Sequence, residues 1–173
     1  MGNTAGAPVR TVYLSLGANL GMREQAIGRA LKLIAASPGV RLERVSALYA
    51  TEPVGYLEQP EFLNCAAVVT TTCDPHDLLS RLRAIERHLG RRSRTKWHER
   101  EIDIDIVLID SPEAAPEVID SPDLRVPHPE MHRRAFVLVP LAEIAPDAMN
   151  PLLARSVRDL LAGLEDASGV RRT

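Results

Sequence analysis

Apolar and polar residues change their spacing along the chain, and these changes mark the predicted elements. Runs of β-branched and apolar residues predict strands, whereas apolar residues three and four apart predict amphipathic helices. Glycine and proline bound most of these segments, as at 37–39 and at Gly90. The predicted strands are 11–17, 40–50, 62–72 and 101–109 with a short one at 118–119, and the predicted helices are 22–36, 75–89, 133–146 and 156–165.

The helix at 75–89 has the clearest start signal. Asp74 is an N-cap acceptor, Pro75 occupies the first helical position, and Asp77 places a carboxylate in the first turn. The buried stripe that follows is Leu78, Leu82, Ile85 and Leu89.

Strands and helices interleave, but long irregular connections at 51–62 and 110–132 break any regular βαβ period. We therefore expect an α+β sandwich whose sheet is mixed or antiparallel. The chain has 173 residues, of which 45% are hydrophobic and 25% charged, which suits one core. The expected organisation is a disordered tail at 1–9, a single domain at 10–165 and a flexible tail at 166–173.

Charge and cysteine content narrow the classes of function. A net charge of -2 argues against a broad nucleic-acid-binding surface. No apolar run approaches the roughly 20 residues that cross a bilayer, so no membrane partner is expected. If the segment from Cys65 to Cys73 is a strand, the two cysteines are roughly 26 Å apart and too far for a disulfide, which predicts a reducing, cytoplasmic compartment.

Two aspartates interrupt the most apolar strand, "EREIDIDIVLI". Residues two apart on a strand share a face, so Asp103 and Asp105 project together. Like charges this close raise each other's pKa unless a cation lies between them. The pattern favours a hard divalent ion such as magnesium, although a solvated polar face gives the same alternation.

The segment before this strand, "RRSRTKWHER", is dense in arginine. A solvated charged loop has the same composition. Beside a paired acid site, however, guanidinium groups point to a polyphosphate, since they bind phosphate oxygens two at a time. "GANLG" lacks the lysine and spacing of a P-loop, and His128 and His132 lack a third ligand for zinc.

Several motifs together resemble one known family. "SLGANLG", "YATEPVGYLEQPEFLNCAA", "IERHLGRR", "REIDIDIVL" and "VPHPEMHRRAFVLVPLAEIAP" occur in the order and spacing of bacterial 6-hydroxymethyl-7,8-dihydropterin pyrophosphokinases. The resemblance covers roughly residues 11–160 and implies a ferredoxin-like α+β sandwich. It also implies transfer of a pyrophosphoryl group from ATP to 6-hydroxymethyl-7,8-dihydropterin, which releases AMP in folate biosynthesis.

The resemblance further implies the roles of particular residues. Asp103 and Asp105 would bind two magnesium ions, and Phe62 and Phe136 would stack on the two faces of the pterin. The implied pterin-binding set is Thr51, Glu52, Val54, Phe62, Asn64, Asp103 and Phe136. The implied ATP-binding set is Glu86, Arg91, Lys96, Trp97, Arg100, Ile106, Leu124, Arg125, His128 and Arg134. The implied catalytic set is Arg91, Arg92, Arg100, Asp103 and Asp105.

The chain departs from the family pattern in the arginine-rich segment. It has "KWHER" where many members have "RWGPR", so His98 and Glu99 replace a glycine and a proline. Ser93 separates Arg92 from Arg94, which leaves open which of the two contacts phosphate.

Two other functions fit the same residues. A metal-dependent phosphohydrolase would use the acids and arginines while water attacks a phosphoester. A ferredoxin-like module could bind a small ligand without turnover. We expect a monomer that binds small molecules.

Overall fold

A central sheet carries helices on both of its faces. The computed structural model describes residues 7–52, 60–91, 100–112, 115–167 and 169–173. The strands are β1 Arg10–Ala18, β2 Val40–Val45, β3 Tyr49–Thr51, β4 Phe62–Thr71, β5 Asp103–Asp110, β6 Ile119–Asp120, β7 Arg125–Val126, β8 Met149–Asn150, β9 Arg155–Ser156 and β10 Val170–Arg172. The helices are α1 Arg23–Ala35, α2 Pro75–His88, α3 Ala135–Ile144 and α4 Val157–Ala162.

Within the described residues, six strands form one antiparallel sheet in the order β10-β3-β4-β1-β5, and β2 also pairs with β4. β3 and β2 lie along the same edge of β4, β3 opposite its start and β2 opposite its end. β6–β7 and β8–β9 form separate two-stranded hairpins. The expected α+β sandwich with an antiparallel sheet is confirmed.

The alternation of β1 explains how the sheet separates two cores. Val12, Leu14 and Leu16 point to the face that α1 and α2 cover. Tyr13 points to the opposite face, where α3 and α4 pack. Because successive strand residues alternate between faces, one short run supplies both cores.

The helix starts follow the local sequence. Asp74 caps α2 by accepting a hydrogen bond from the His76 N–H at 2.9 Å, with Pro75 at the first position, as predicted. α4 begins with a capping box between Ser156 and Asp159. These side chains satisfy backbone donors that the first turn of a helix leaves without partners. Among the described helices, none has the length and apolar content that a membrane crossing requires.

The structure differs from the expected elements at several places. The single strand expected at 40–50 is two strands, because the chain leaves the ladder at Ser46, whose Oγ accepts from the Ala66 N–H. The short strand expected at 118–119 is Ile119–Asp120. The flexible tail expected at 166–173 contains β10, whose backbone pairs with β3.

The disordered tail expected at 1–9 lies mostly outside the described residues, which begin at 7. Residues 7–9 have no regular structure and are exposed.

Candidate active site

Asp103 and Asp105 lie on one face of β5, as the alternation predicts. Ile104 and Ile106 are buried on the opposite face, against α1 and α2. Asp103 pairs with Gly17 of β1, and Asp105 pairs with Ser15. Since β5 is the last strand in the order of the sheet, both carboxylates lie at that edge, next to β1.

A β-bulge follows the acid pair. The register between β1 and β5 passes from Leu14–Ile106 to Tyr13–Leu108 and leaves out Val107. The Val107 carbonyl instead accepts a hydrogen bond from the His128 N–H at 2.9 Å. Bulges often redirect groups beside functional sites, and this one fixes His128 near the acid pair.

Two arginines hold Asp103. Nη1 of Arg91 lies 2.8 Å from Oδ1 of Asp103, and Nη1 of Arg100 contacts Oδ2. Arg91 also forms an ion pair with Glu86 of α2. Oε1 of Glu86 accepts a hydrogen bond from the Ile104 N–H at 2.7 Å, so α2 is joined to β5 beside the acid pair.

The same contacts explain the electrostatics of the acids. Burial raises the pKa of Glu86, and the Arg91 guanidinium opposes that shift. Burial, followed by the Asp103 carboxylate, raises the pKa of Asp105 to about 7. Burial lowers the pKa of Arg91, but the Asp103 and Glu86 carboxylates raise it by a larger amount. The pKa of Arg91 is therefore above its ordinary value. The paired acids thus carry the mutual repulsion that a cation would relieve.

A cleft of about 360 Å³ opens from this acid pair. It is bounded by α2, β5 and the segment that leads from β6 to His128. The residues of the predicted ATP-binding set that line it are Glu86, Arg91, Arg100, Ile106, Leu124, Arg125 and His128. Asp103 and Asp105 also line it.

His128 is neutral in this cleft. Burial and the nearby Arg134 guanidinium lower its pKa to about 4. Its Nδ1 accepts a hydrogen bond from the Glu130 N–H at 3.1 Å. Since Nδ1 is an acceptor, the proton of the neutral ring is on Nε2, which can donate to an oxygen of a bound molecule.

Arg134 lies beside the cleft rather than in its lining. Its guanidinium carbon is 5.6 Å from the centre of the Phe136 ring, within the range of a cation–π contact. Its charge also lowers the pKa of Asp105, against the larger effect of burial. Arg134, at the start of α3, therefore interacts electrostatically with Asp105 of the acid pair.

Buried polar groups continue the row of Asp103 across the sheet. Asp103 pairs with Gly17, and Gly17 pairs with Asn64 of β4. Nδ2 of Asn64 donates to Oγ1 of Thr51 at 2.7 Å, and both residues are buried. Their side chains thus lie on the sheet face that carries the two acids.

The remaining residues of the predicted pterin set have different environments. Phe62 is half-buried and pairs with Thr51. Phe136 is half-buried and packs against the core under α3. Glu52 is exposed, and its N–H donates to the Gly169 carbonyl at 3.4 Å.

Several predicted site residues lie outside the described part of the chain. They are Val54, Arg92, Lys96 and Trp97, together with Arg94, His98 and Glu99 of the arginine-rich segment. The choice between Arg92 and Arg94 stays open.

The cleft also contains residues that the sequence analysis did not select. Leu79 and Arg83 line it with Glu86, at helical spacing on one face of α2. That spacing was a usable signal, because residues four and three apart share a helix face. Pro122 and Asp123 line it from a turn that carried no comparable signal.

Comparison with known families and proteins gives a consistent result. The model of the 7,8-dihydro-6-hydroxymethylpterin-pyrophosphokinase (HPPK) family matches residues 13–146. The chain is 42% identical over 132 residues to the 2-amino-4-hydroxy-6-hydroxymethyldihydropteridine pyrophosphokinase of Bacillus subtilis, covering 76% of each chain. It is 41% identical over 154 residues to the protein of the same name from Pseudomonas aeruginosa, covering 89% of this chain and 91% of that protein.

Solved structures show the same architecture at greater distance. A Plasmodium falciparum HPPK-DHPS structure superposes with a TM-score of 0.68 at 15% identity, covering 92% of this chain and 46% of that chain. This chain therefore spans less than half the length of that solved relative. At such low identity the likeness shows a shared fold.

Proposed function

Since this chain belongs to the 7,8-dihydro-6-hydroxymethylpterin-pyrophosphokinase family, we propose that it transfers the pyrophosphoryl group of ATP to the hydroxymethyl group of 6-hydroxymethyl-7,8-dihydropterin. The products are AMP and the pterin diphosphate, an intermediate of folate biosynthesis. One observation carries the proposal: Asp103 and Asp105 share a strand face at the mouth of a cleft, with Arg91 and Arg100 beside them. Phosphoryl transfer requires mainly positioning and neutralisation of charge, which these groups supply.

ATP occupies the cleft in this proposal. Arg91, Arg100 and Arg125 bring positive charge to its lining, and Ile106 and Leu124 bring apolar surface for a base. The neutral His128 donates from Nε2 to a phosphate or ribose oxygen. Lys96 and Trp97, outside the described residues, complete the proposed ATP set with Glu86 and Arg134.

The pterin binds on the neighbouring part of the same sheet face. Asn64 and Thr51 are buried polar groups on this face, which suits the hydrogen-bonding edge of a heterocycle. Phe62 and Phe136 supply the stacking faces, and Glu52 and Val54 belong to the same proposed set. Asp103, in the row of Asn64, lies between the two substrates.

Magnesium is the metal that these residues fit. Asp103 and Asp105 would hold two ions, and hard carboxylate oxygens are the donors that magnesium prefers. In the described part of the chain no three His, Cys, Asp or Glu side chains group to hold a metal. Magnesium takes one or two carboxylates from a protein and completes its shell with water and phosphate oxygens. When bound, the ions would neutralise the triphosphate.

The arginines act on the transferred group. The pterin hydroxyl oxygen loses its proton to solvent and forms a bond to the β-phosphorus, while the bond from that phosphorus to the AMP oxygen breaks and AMP leaves. Arg91 and Arg100 reach the acid pair, so their guanidinium groups can neutralise charge on the transferred phosphoryl oxygens. Arg92 is proposed as a third such group and lies outside the described residues.

Replacement of the acids tests the proposal. Asp103→Asn and Asp105→Asn should each lower kcat by at least about a hundredfold, because each removes a charged oxygen ligand. Asp110→Asn is the matched control. It lies on the same strand at the far end from the cleft, where it accepts a hydrogen bond from the Tyr13 hydroxyl at 2.7 Å, and asparagine can accept the same bond.

Product analysis separates this reaction from the alternatives. AMP and a pterin diphosphate in equal amounts support the proposal. Free phosphate without pterin dependence would indicate a phosphohydrolase, and binding without turnover would indicate a ligand-binding module. Near-normal turnover by both aspartate variants would remove the acids from the site.

The proposal also concerns compartment and assembly. Cys65 and Cys73 are free thiols, and burial raises the pKa of the Cys65 thiol to about 12. Unreactive or unpaired thiols suit a reducing cytoplasm. We propose a monomer, which sedimentation with and without ATP would test.

A further inference from the structure

The glycine-rich turn of the segment "SLGANLG" lacks the lysine and the spacing of a P-loop, so its sequence alone assigns it no function. Asn19 lies in this turn, directly after β1, and its relative exposure is only 2%. A buried amide is costly unless its polar atoms have partners. The partners of Asn19 are therefore the reason for an asparagine at this position.

Asn19 holds the backbone of Arg100 by two hydrogen bonds. Its own N–H donates to the Arg100 carbonyl at 3.0 Å. Its Oδ1 accepts from the Arg100 N–H at 2.7 Å. A backbone held at both its donor and its acceptor has little freedom to rotate. The side chain of Arg100 in turn contacts Asp103, so Asn19 fixes the origin of a guanidinium at the acid pair.

The other end of the same amide holds a different segment. Nδ2 of Asn19 donates to the Pro60 carbonyl at 3.3 Å. Pro60 lies shortly before β4, which carries Phe62 and Asn64. The buried side chain of Asn19 thus connects the segment before β4, which leads to Phe62 and Asn64, with the segment before β5, which leads to the acid pair.

We propose that Asn19 is a positioning residue that sets the spacing between the pterin side and the phosphate side of the site. The inference rests on the proposed function. In-line transfer depends on the distance between the attacking hydroxyl and the phosphorus, and small errors in that distance cost large factors in rate. Asparagine suits the role because its short side chain both accepts and donates, whereas aspartate only accepts.

Two substitutions of Asn19 test its contact with Pro60 separately from its contact with Arg100. Asn19→Asp keeps an acceptor for the Arg100 N–H but places a carboxylate oxygen against the Pro60 carbonyl. Asn19→Ala removes the side-chain bonds to the Arg100 N–H and the Pro60 carbonyl and keeps the backbone bond to Arg100. Asn19→Ser replaces the alanine variant if that protein does not fold.

The expected kinetics differ between the two variants. Asn19→Asp should raise KM for the pterin about tenfold and lower kcat less than Asn19→Ala does, because it breaks the bond to Pro60 but keeps an acceptor for the Arg100 N–H. Asn19→Ala should raise the same KM and also lower kcat at least about tenfold, because Arg100 loses a partner. KM for ATP should change less than KM for the pterin in the aspartate variant.

Asn150→Asp is the matched control. Asn150 has the same 2% exposure but lies in β8, where its Oδ1 accepts from the N–H groups of Leu152 and Leu153. This control should lower the melting temperature without changing the ratio of the two KM values. It measures the effect of placing a buried carboxylate away from the cleft.

Steady-state kinetics with both substrates varied, together with melting temperatures, distinguishes a positioning role of Asn19 from a purely structural one. If the Asn19 variants melt lower yet keep the wild-type kcat and KM ratio, as Asn150→Asp should, then Asn19 is only a structural bond and the inference is overturned. If the wild-type protein forms no AMP and pterin diphosphate, the proposed function fails and the inference fails with it. An active wild type with unaltered variants overturns the inference alone.

Discussion

A Cβ atom added at position 17 would lie 2.6 Å from Oδ1 of Asn64. Real Cβ contacts are not this short, so the Asn64 amide would have to move. Position 17 of β1 therefore has no room for a side chain larger than a hydrogen atom. Glycine at this position allows Asn64 of β4 to pack directly against β1. The backbone of Gly17 is ordinary strand, so the requirement is steric and not conformational.

Gly17→Ala should therefore weaken pterin binding. Displacement of Asn64 breaks its 2.7 Å bond to Thr51, and a buried hydrogen bond left unmade costs about 1–3 kcal/mol. We expect Kd for the pterin, measured by fluorescence titration, to rise about tenfold or more.

Gly28→Ala is the control for this substitution. Nothing lies within 4 Å of a Cβ added at Gly28 in α1. Alanine there should increase the free energy of unfolding by about 1 kcal/mol, since it favours the helix, and leave pterin binding unchanged. Equal binding by the wild type and Gly17→Ala would show that Asn64 does not contact the pterin.

His128 contributes a pH dependence to stability whose sign follows from its burial. Its pKa in the folded protein is about 4, below the ordinary histidine value of about 6.5. Between these values the unfolded chain binds the proton more readily, so the free energy of unfolding falls as pH decreases from about 6.5 to 4. Outside that window the contribution is constant.

His128→Asn should remove this contribution while it keeps an acceptor for the Glu130 N–H. Urea unfolding of both proteins from pH 7 to pH 4 should show the wild type losing stability faster, by at most about 1.4 kcal/mol per pH unit. Parallel pH profiles would mean that His128 is protonated alike in the folded and unfolded states.

Among the elements, β10 has the least expected position. It pairs with β3, whose Thr51 belongs to the proposed pterin site. The Thr173 N–H donates to the Leu48 carbonyl at 3.0 Å, and Nη2 of Arg171 lies 2.7 Å from Oε1 of Glu61. The family model ends at residue 146, so this strand supports the site from outside the matched segment.

Deletion of residues 169–173 should destabilise β3 and weaken pterin binding more than ATP binding. The loss of several backbone hydrogen bonds should lower the free energy of unfolding by about 2 kcal/mol. Binding titrations with each substrate separately measure the difference.

Arg171→Ala tests the ion pair apart from the strand. An exposed pair contributes about 0–1 kcal/mol, so this variant should behave almost as the wild type. If the substitution alone reproduced the effect of the deletion, the side-chain pair rather than the strand would support β3.

In the molecule as a whole, acidic side chains lie together at one edge of the sheet, and arginine side chains beside them balance their negative charge. Asp103, Asp105 and Glu86 lie within reach of Arg91 and Arg100 in the described structure. The net charge of the chain is only -2. In the proposed function, affinity for ATP would therefore depend on this local arrangement and not on the overall charge.

Ligand binding should accordingly stabilise the whole fold in a metal-dependent way. A non-hydrolysable ATP analogue at a hundred times its Kd should add about 2.7 kcal/mol to the free energy of unfolding in the presence of magnesium. The shift in melting temperature should largely disappear with a chelator, and in Asp105→Asn. An equal shift with the chelator would indicate that magnesium is not needed for nucleotide binding.

The residues of β5 show what local sequence could predict. Alternation placed Asp103 and Asp105 on one face, and the structure confirms it. The cap at Asp74 was predicted with its role, because its partner is two residues away. The resemblance of several motifs predicted the family, which the comparisons confirm.

Glu86 shows what local sequence could not predict. The apolar stripe predicted for this helix does not include Glu86, whereas the structure buries it against the Ile104 N–H. The break of the predicted strand 40–50 into β2 and β3 has a similar cause, since Ser46 bonds to Ala66 in another strand. The roles given to individual site residues remain predictions for the experiments above.

The sequence by itself determined the four helices and the long strands β1, β4 and β5, the shared face of the two acids and the family, because each depends on neighbours in the chain or on motifs read directly. Only the tertiary structure decided that Asn64 lies against Gly17 and that β10 pairs with β3. It alone also showed that Asn19 joins Pro60 to Arg100. These contacts connect residues far apart in sequence, and strand pairing, which brings them together, is set by the packing of the whole sheet rather than by local periodicity.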